Sequence, residues 1–306
     1  MKIIFMGNPE FAIPTLSKLI DSKHDVVAVV SNCRKNIGRN NKKSFTPVGN
    51  YANEKKIPLI TPNSLKSLDF RQKLLSFNPD IFVVVAYKIL PPSLINLPKF
   101  GSLNLHASLL PKYRGAGPIQ WALINGDKTT GVTIFQISSK VDTGEILDKV
   151  EVKIKKEDNM LTLGMRLCTI GADLMQNVLN NLEKGDLKRE SQDVNNISFA
   201  PKITKEMLII DWSLPAEKIH NWVRALSPWP GMYTTFEGKK IILFKTKVID
   251  GTANIGEVII KEDECFIGTG HKLLSILEIQ KEGKKRMHIR SFLMGNSLPS
   301  GSVFGK

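Results

Sequence analysis

The sequence has 306 residues, with 43 Lys and Arg against 29 Asp and Glu, a formal net charge of +14 and 42% hydrophobic residues. This composition is typical of a globular protein of about two domains, and no apolar run reaches the ~18–20 residues that a membrane-spanning helix needs. The three cysteines, Cys33, Cys168 and Cys265, are too widely spaced for a zinc site or a disulfide framework, so we expect a cytoplasmic protein. The positive charge favours a polyanionic partner, nucleic acid first. The alternative is a general lysine enrichment without functional meaning.

The first half alternates strand and helix patterns. Residues 2–6 and 26–30 are apolar runs typical of buried strands, and a helical pattern lies between them. This order predicts a parallel βαβ unit. The first turn contains Gly7 without a G-x-G-x-x-G pattern, which argues against a dinucleotide site. The later predicted elements are helix 48–54, strand 58–60, helix 65–77, strand 81–85, a helical turn after Pro91, strand 102–106, helix 117–124, strands 132–137 and 146–152, and helix 160–182.

A basic segment follows the second predicted strand. Residues 34–43 carry five cations and no acid, namely Arg34, Lys35, Arg39, Lys42 and Lys43. Their lack of periodicity predicts an exposed loop, and a solvated charge run is the simplest interpretation. A basic loop at the carboxyl end of a parallel sheet would also overhang the place where ligands bind in such folds.

Two polar residues share one face of the strand predicted at 102–106. Asn104 and His106 are two residues apart, so their side chains point the same way, and Pro111 then breaks the strand. Asp142 lies in an Asp-Thr-Gly turn after a later strand and could bring a carboxylate back toward His106. The alternatives are a buried core His, a turn-forming Asn and a turn-forming Asp.

Residues 190–204 lose periodicity and gain polar residues, so we predict a linker there between domains 1–189 and 205–306. In the second domain, Ser213 is predicted to cap a helix that ends before Pro228. Five short strands follow, at 233–236, 241–248, 255–260, 265–269 and 273–280, and they predict a small barrel. Its basic rim comprises Lys281, Lys284, Lys285, Arg286 and Arg290.

The trio Asn104, His106 and Asp142 suits acyl transfer. An Asn amide can stabilise an oxyanion, and an imidazole beside a carboxylate can exchange protons. Ser108 lacks a Gly-x-Ser-x-Gly elbow, and no cluster of ligands has metal spacing. A direct transfer without a covalent enzyme intermediate therefore fits best, whereas the acyl donor and the nucleophile do not follow from the spacing.

The same residues resemble the signature of the folate-dependent formyltransferases. The pattern Asn-x-His-x-Ser-Leu-Leu-Pro-x-Tyr-Arg-Gly spans residues 104–115, and Asp-Thr-Gly follows at 142–144. Residues 4–12 and the loop 33–47 around Gly38-Arg39 are also similar to that family. The segments 210–213 and 224–231 resemble the second domain of the members that formylate initiator tRNA. The resemblance covers nearly the whole chain.

This resemblance implies an α/β fold, with a Rossmann-like, mostly parallel sheet domain followed by a small OB-like β-barrel domain. It implies formyl transfer from 10-formyltetrahydrofolate to the α-amino group of methionyl initiator tRNA, without a metal, by a monomeric enzyme. Asn104 and His106 would stabilise the oxyanion, and Asp142 would orient His106 and help remove the ammonium proton. The implied folate contacts are Val85, Ala86, Tyr87, Ser108, Leu109, Leu110 and Pro111. The implied tRNA contacts are Arg34, Lys35, Arg39, Lys42, Lys43, Lys284, Lys285 and Arg286.

The chain departs from the family pattern at a few positions. Ala107 replaces a usual Gly, no Gly follows Tyr87, and Asn40-Asn41 replaces Gly-Lys. A sugar-amine formyltransferase or a formyltetrahydrofolate hydrolase would share the trio, but would not explain the basic loop together with the second domain. A non-catalytic RNA-binding module would explain the charge and leave the trio without a role.

Overall fold

The computed structural model describes residues 1–34 and 44–305, which form two compact units. The first unit comprises Met1–Pro118, Thr130–Lys153 and Gly164–Phe199. The second comprises Ile119–Thr129, Ile154–Leu163 and Ala200–Lys306. Two short segments from the middle of the chain thus group with the second unit. The domain limits predicted from the sequence stay a prediction.

The chain up to residue 184 alternates strands and helices. The strands are β1 (Lys2–Gly7), β2 (Asp25–Val30), β3 (Cys33–Arg34), β4 (Ser44–Phe45), β5 (Leu59–Ile60), β6 (Ile81–Val85), β7 (Ser102–His106), β8 (Arg114–Gly115), β9 (Thr129–Gln136) and β10 (Ile146–Lys153). The helices are α1 (Ile13–Ile20), α2 (Pro47–Glu54), α3 (Leu68–Leu75), α4 (Pro92–Ile95), α5 (Pro118–Ile124) and α6 (Met160–Lys184). Local signals fix several helix starts; the Thr46 hydroxyl, for example, accepts a hydrogen bond from Gly49 N at the start of α2.

Seven of these strands form the sheet of the first unit, in the order β10-β9-β7-β6-β1-β2-β5. β1 pairs in parallel with β2 and β6, as do β2 with β5 and β6 with β7, whereas β9 is antiparallel to β7. β6 is buried along its whole length, and its β-branched run is typical of a parallel strand that is covered on both faces. The predicted α/β fold with a mostly parallel sheet is confirmed.

The second half contains an antiparallel sheet. After β11 (Phe199–Ala200) and α7 (Ala216–Ala225) come β12 (Met232–Phe236), β13 (Lys239–Ile249), β14 (Val258–Lys261), β15 (Glu264–Gly268), β16 (Leu273–Lys281), β17 (Met287–His288) and α8 (Ile289–Gly295). The sheet order is β12-β13-β16-β15-β14, and β17 pairs with β16. The predicted barrel strands are thus observed as a six-stranded antiparallel sheet whose apolar residues share one core with α7 and α8.

Two details of the second half differ from the prediction. α7 is preceded by Pro215 at its N-cap, and the Ser213 hydroxyl donates to Asp211 Oδ1 instead of capping the helix. β17 and α8 occupy a segment that was predicted from its basic residues only as a rim of the barrel. Among the described helices, none is long and apolar enough to cross a membrane.

Candidate active site

His106 ends β7 in a buried position between two oxygen atoms. Its Nε2 lies 2.9 Å from the carbonyl oxygen of Tyr113, and its Nδ1 lies 3.8 Å from Asp142 Oδ2. A carbonyl oxygen only accepts hydrogen bonds, so Nε2 carries the hydrogen of the neutral imidazole. Nδ1 is then the atom that can take a proton, and the carboxylate of Asp142 faces the positive charge that results.

Asp142 is held by hydrogen bonds from two other segments of the chain. Gly115 N donates to its Oδ2 at 2.8 Å, and the side-chain amide of Gln192 donates to its carbonyl oxygen at 3.0 Å. The residue has a φ of +53°, in the left-handed region that non-glycine residues rarely adopt. Gly144 follows in close contact with Gln136, and a Cβ there would overlap the Gln136 carbonyl oxygen. The glycine of the Asp-Thr-Gly turn is therefore a steric requirement.

Asn104 lies in the centre of the sheet, opposite Val84 on one side and Phe135 on the other. It is half-buried, and within the described residues its side-chain amide has no hydrogen-bond partner. An amide with free N–H groups beside an imidazole can receive the oxygen atom of a reacting carbonyl group.

These three side chains line one cavity of about 590 Å³, within the usual size range of small-molecule sites. Its walls come from the carboxyl end of β6, from β7 and from the loop after β9. Besides the trio, the lining comprises Val84, Ala86, Tyr87, Lys88, Ile89, Leu90, Leu105, Gly115, Ala116, Pro118, Phe135, Ile137, Ser138, Ser139, Lys140 and Val141.

The two residues after β6 have an unusual backbone angle and a buried hydroxyl. Ala86 has a φ of +48°, and the hydroxyl oxygen of Tyr87 is buried without a hydrogen-bond partner among the described residues. Burial raises the pKa of Tyr87 to about 12, so the hydroxyl stays protonated. Two exposed apolar side chains, Ile89 and Val141, lie next to Lys88 and Lys140 in the two loops of the lining.

The predicted folate contacts fall into two groups. Ala86 and Tyr87 line the cavity, whereas Val85 and Ser108 are fully buried and outside its lining. The other predicted contacts, Leu109, Leu110 and Pro111, lie in the turn after β7 and are also outside the lining. The shape of this turn is fixed by hydrogen bonds, because Thr133 Oγ1 donates to Ser108 O at 2.7 Å and accepts from Leu110 N at 3.2 Å.

The predicted tRNA contacts are only partly covered by the structure. Lys35, Arg39, Lys42 and Lys43 lie outside the described residues, and Arg34 ends β3, which pairs with β4 across this gap. Lys284 and Lys285 are exposed in the turn between β16 and β17. Arg286 instead donates to Glu278 Oε2 at 2.6 Å and lies over the ring of Phe244.

Residues beyond the predicted set complete the site. Gln192 contacts the backbone of Asp142 and Gly144, and Ser198 Oγ accepts a hydrogen bond from Tyr113 N at 2.9 Å. Both lie in the polar segment that the sequence predicts as a linker. A lone Gln in such a segment carries no periodicity that could have identified it. Within residues 1–34 and 44–305, no group of three or more His, Cys, Asp or Glu could hold a metal ion.

Comparison with known proteins gives matches over both halves of the chain. The model of the formyl transferase family matches residues 1–179, and that of the formyl transferase C-terminal domain matches residues 202–297. A methionyl-tRNA formyltransferase of Caldanaerobacter subterraneus subsp. tengcongensis is 44% identical over 99% of this chain and 99% of its own. One of Alkaliphilus oremlandii is 41% identical over the full length of both chains. Among solved structures, an N-formyltransferase of Helicobacter canadensis in complex with folinic acid and dTDP-3-aminofucose has a TM-score of 0.67 at 19% identity, over 90% of this chain and 99% of that one. At that identity the last likeness shows the fold alone.

Proposed function

The chain belongs to the formyl transferase family, and from this premise we propose that it transfers the formyl group of 10-formyltetrahydrofolate to the α-amino group of methionyl initiator tRNA. The observation that carries the proposal is the arrangement of Asn104, His106 and Asp142 around one cavity. Full-length relatives that are named methionyl-tRNA formyltransferases support the choice of acceptor.

The trio can support direct attack of an amine on a formyl carbon. Asn104 donates an N–H to the formyl oxygen, which becomes negative when the new carbon–nitrogen bond forms. His106 takes the proton of the attacking amine on Nδ1, and Asp142 stabilises the imidazolium. The oxyanion then re-forms the carbonyl group, and the bond from the formyl carbon to the folate nitrogen breaks. That nitrogen receives the proton that His106 carries, which returns the imidazole to its neutral form. The amine becomes a formamide, and the reaction needs no covalent enzyme intermediate.

The cavity suits a folate donor. Tyr87 is part of its lining, and the exposed side chains of Ile89 and Val141 offer apolar surface for an aromatic ring. Lys88 and Lys140 are exposed beside them and form no ion pair with a described carboxylate, so they can attract the carboxylates of the glutamate portion.

The acceptor is assigned from the net charge of the chain and from exposed lysines of the second unit. The net charge of +14 suits a tRNA, because phosphate contacts dominate the affinity of proteins for nucleic acids. In this proposal the basic loop 34–43 contacts the acceptor end, and Lys284 and Lys285 contact phosphates. The enzyme acts as a monomer in the cytoplasm.

The test is incubation of the full chain with 10-formyltetrahydrofolate and charged methionyl initiator tRNA, followed by detection of N-formylmethionine. A dTDP-amino sugar and a reaction without acceptor run in parallel, and D142N serves as the matched inactive control. We expect formylmethionine with the wild-type enzyme only. Formylation of the sugar alone, or release of formate without acceptor, would refute the proposal.

A further inference from the structure

The side chain of Gln192 joins three parts of the first unit. Its Nε2 donates to the carbonyl oxygens of Asp142 at 3.0 Å and Gly144 at 2.8 Å. Its Oε1 accepts from the Nε of Arg114 at 3.1 Å and the Nη2 of Arg114 at 2.6 Å. A single half-buried amide thus makes four hydrogen bonds to residues that are 48 to 78 positions away in the chain.

The orientation of this amide is determined by its partners. A guanidinium only donates and a carbonyl oxygen only accepts, so the amide oxygen faces Arg114 and the nitrogen faces the turn of Asp142. The opposite orientation would lose all four bonds. A glutamate side chain could still accept the hydrogen bonds from Arg114. It has no N–H group to donate to the two carbonyl oxygens.

The contacts form a closed ring around Asp142. The side chain of Arg114 binds Gln192, Gln192 binds the backbone of Asp142, and the carboxylate of Asp142 accepts from the N–H of Gly115, the residue next to Arg114. The left-handed backbone of Asp142 is unfavourable on its own and needs such contacts to persist. The direction of the carboxylate follows from that backbone, so the ring fixes where it lies relative to His106.

We propose that Gln192 is a positioning residue for formyl transfer, which acts by holding Asp142 in place and has no contact of its own with the reacting atoms. This inference rests on the proposed function, because it takes the role of Asp142 from there. Its effect belongs to the chemical step, since the geometry of the reacting groups sets kcat and a displacement of about 1 Å can cost ~100-fold.

The decisive variant is Gln192→Glu, which keeps the size of the side chain and its bond to Arg114 but removes both donations to the Asp142 turn. We expect kcat to fall about 10- to 100-fold, with KM for folate and for tRNA nearly unchanged and the melting temperature close to that of the wild type. Gln72→Glu, an exposed change of the same charge on α3, is the control and should have wild-type kcat. If Gln192 only anchors its segment through Arg114, Gln192→Glu will also have wild-type kcat, and the proposal is then refuted.

A double-mutant cycle tests whether Gln192 acts through Asp142. In the D142N background, Gln192→Glu should cause little further loss, because the group that it positions is already gone. A full multiplicative loss would mean an independent effect and would overturn the proposal. Full activity of D142N by itself would refute the mechanism of the proposed function instead. If the Glu variant does not fold, Gln192→Met, which loses the bonds to both Arg114 and the Asp142 turn, is compared with Arg114→Met, which loses only the former. Equal kcat values of these two variants would overturn the proposal.

Discussion

His106 can act as a base on one nitrogen only, because its Nε2 is bound to the carbonyl oxygen of Tyr113. In the proposed mechanism, the proton of the attacking amine therefore arrives at Nδ1, on the side of Asp142. This assignment depends on the backbone carbonyl of Tyr113 and not on its side chain. The active imidazole is thus oriented by the path of the loop after β7.

Replacement of His106 tests this arrangement directly. We expect His106→Ala to lower kcat by about 100- to 10,000-fold, the usual size of a general acid–base contribution. Binding of tRNA should persist, because the change removes no positive surface charge. Single-turnover formylation measures the first effect and a filter-binding titration the second. Wild-type turnover in this variant would contradict the mechanism.

Lys88 and Lys140 provide a test of the donor site. The combined changes Lys88→Gln and Lys140→Gln should raise KM for 10-formyltetrahydrofolate several-fold and leave kcat nearly constant, because these exposed residues line the cavity but take no part in the proposed chemistry. The effect should diminish at high salt, where exposed charges are screened. Lys99→Gln, a change outside the lining, is the matched control. Equal KM values for all three proteins would exclude a charge contribution to donor binding.

At the scale of secondary-structure elements, the sequence predicted the strands whose residues form continuous or alternating apolar runs. The strands at 81–85 and 102–106 are observed with these bounds, because a continuous or alternating apolar run has few other uses in a folded chain. β17 and α8 were missed because their residues mix basic and apolar side chains over a short span. The antiparallel direction of β9 could not be read from its sequence, since an apolar strand looks the same in either direction.

The candidate site was predictable as far as it consists of side chains with distinctive chemistry. Asn104, His106 and Asp142 were identified from residue type and spacing, and the structure places them around one cavity. Their catalytic roles stay a prediction. Gln192 and Ser198 were missed because their contacts with the Asp142 and Tyr113 turns are made to backbone groups, which every residue possesses and which leave no trace in the sequence.

The packing of α7 against β13 gives the fold a dependence on pH. His220 of α7 contacts Thr246 Oγ1 at 3.0 Å, and burial, with a smaller contribution from Arg224, lowers the pKa of His220 below its usual 6.5. The unfolded chain therefore binds this proton more readily than the folded chain, and stability is lost as the pH falls through 6.5. His24, whose pKa burial also lowers, adds to the same trend.

We expect His220→Gln, which can still hydrogen-bond to Thr246, to flatten this dependence. Urea unfolding of both proteins between pH 7.5 and 5.5 measures it. The wild-type free energy of unfolding should fall as the pH is lowered, and that of the variant should fall less. Equal slopes would show that His220 binds protons equally in the folded and unfolded states over this range, and would contradict the prediction.

At the scale of the whole molecule, the charge excess predicts how tRNA binding depends on salt. Lys284 and Lys285 are exposed cations in one turn, whereas Arg286 beside them is engaged with Glu278. Removal of two phosphate contacts should reduce the slope of log affinity against log salt by up to about 2 units.

The corresponding experiment compares a double variant, which carries both Lys284→Ala and Lys285→Ala, with the single variant Lys99→Ala. Titrations of initiator tRNA at several salt concentrations should give a shallower slope for the double variant alone. An unchanged slope would place the phosphate contacts elsewhere on the chain. The role of Arg39 in the basic loop also stays a prediction.

The contacts of Gln192 and Ser198 have a consequence for the order in which the protein becomes active during its own synthesis. The sheet strands and the trio are complete by residue 153, yet the residues that hold Asp142 and the Tyr113 turn are translated 50 and 85 positions after the groups they bind. A nascent chain that has emerged only to the end of α6 can contain the whole catalytic sequence without the contacts that orient it. Because Gln192 and Ser198 lie near the C-terminal end of the first unit, the candidate site can complete these hydrogen bonds only after residue 198 has emerged.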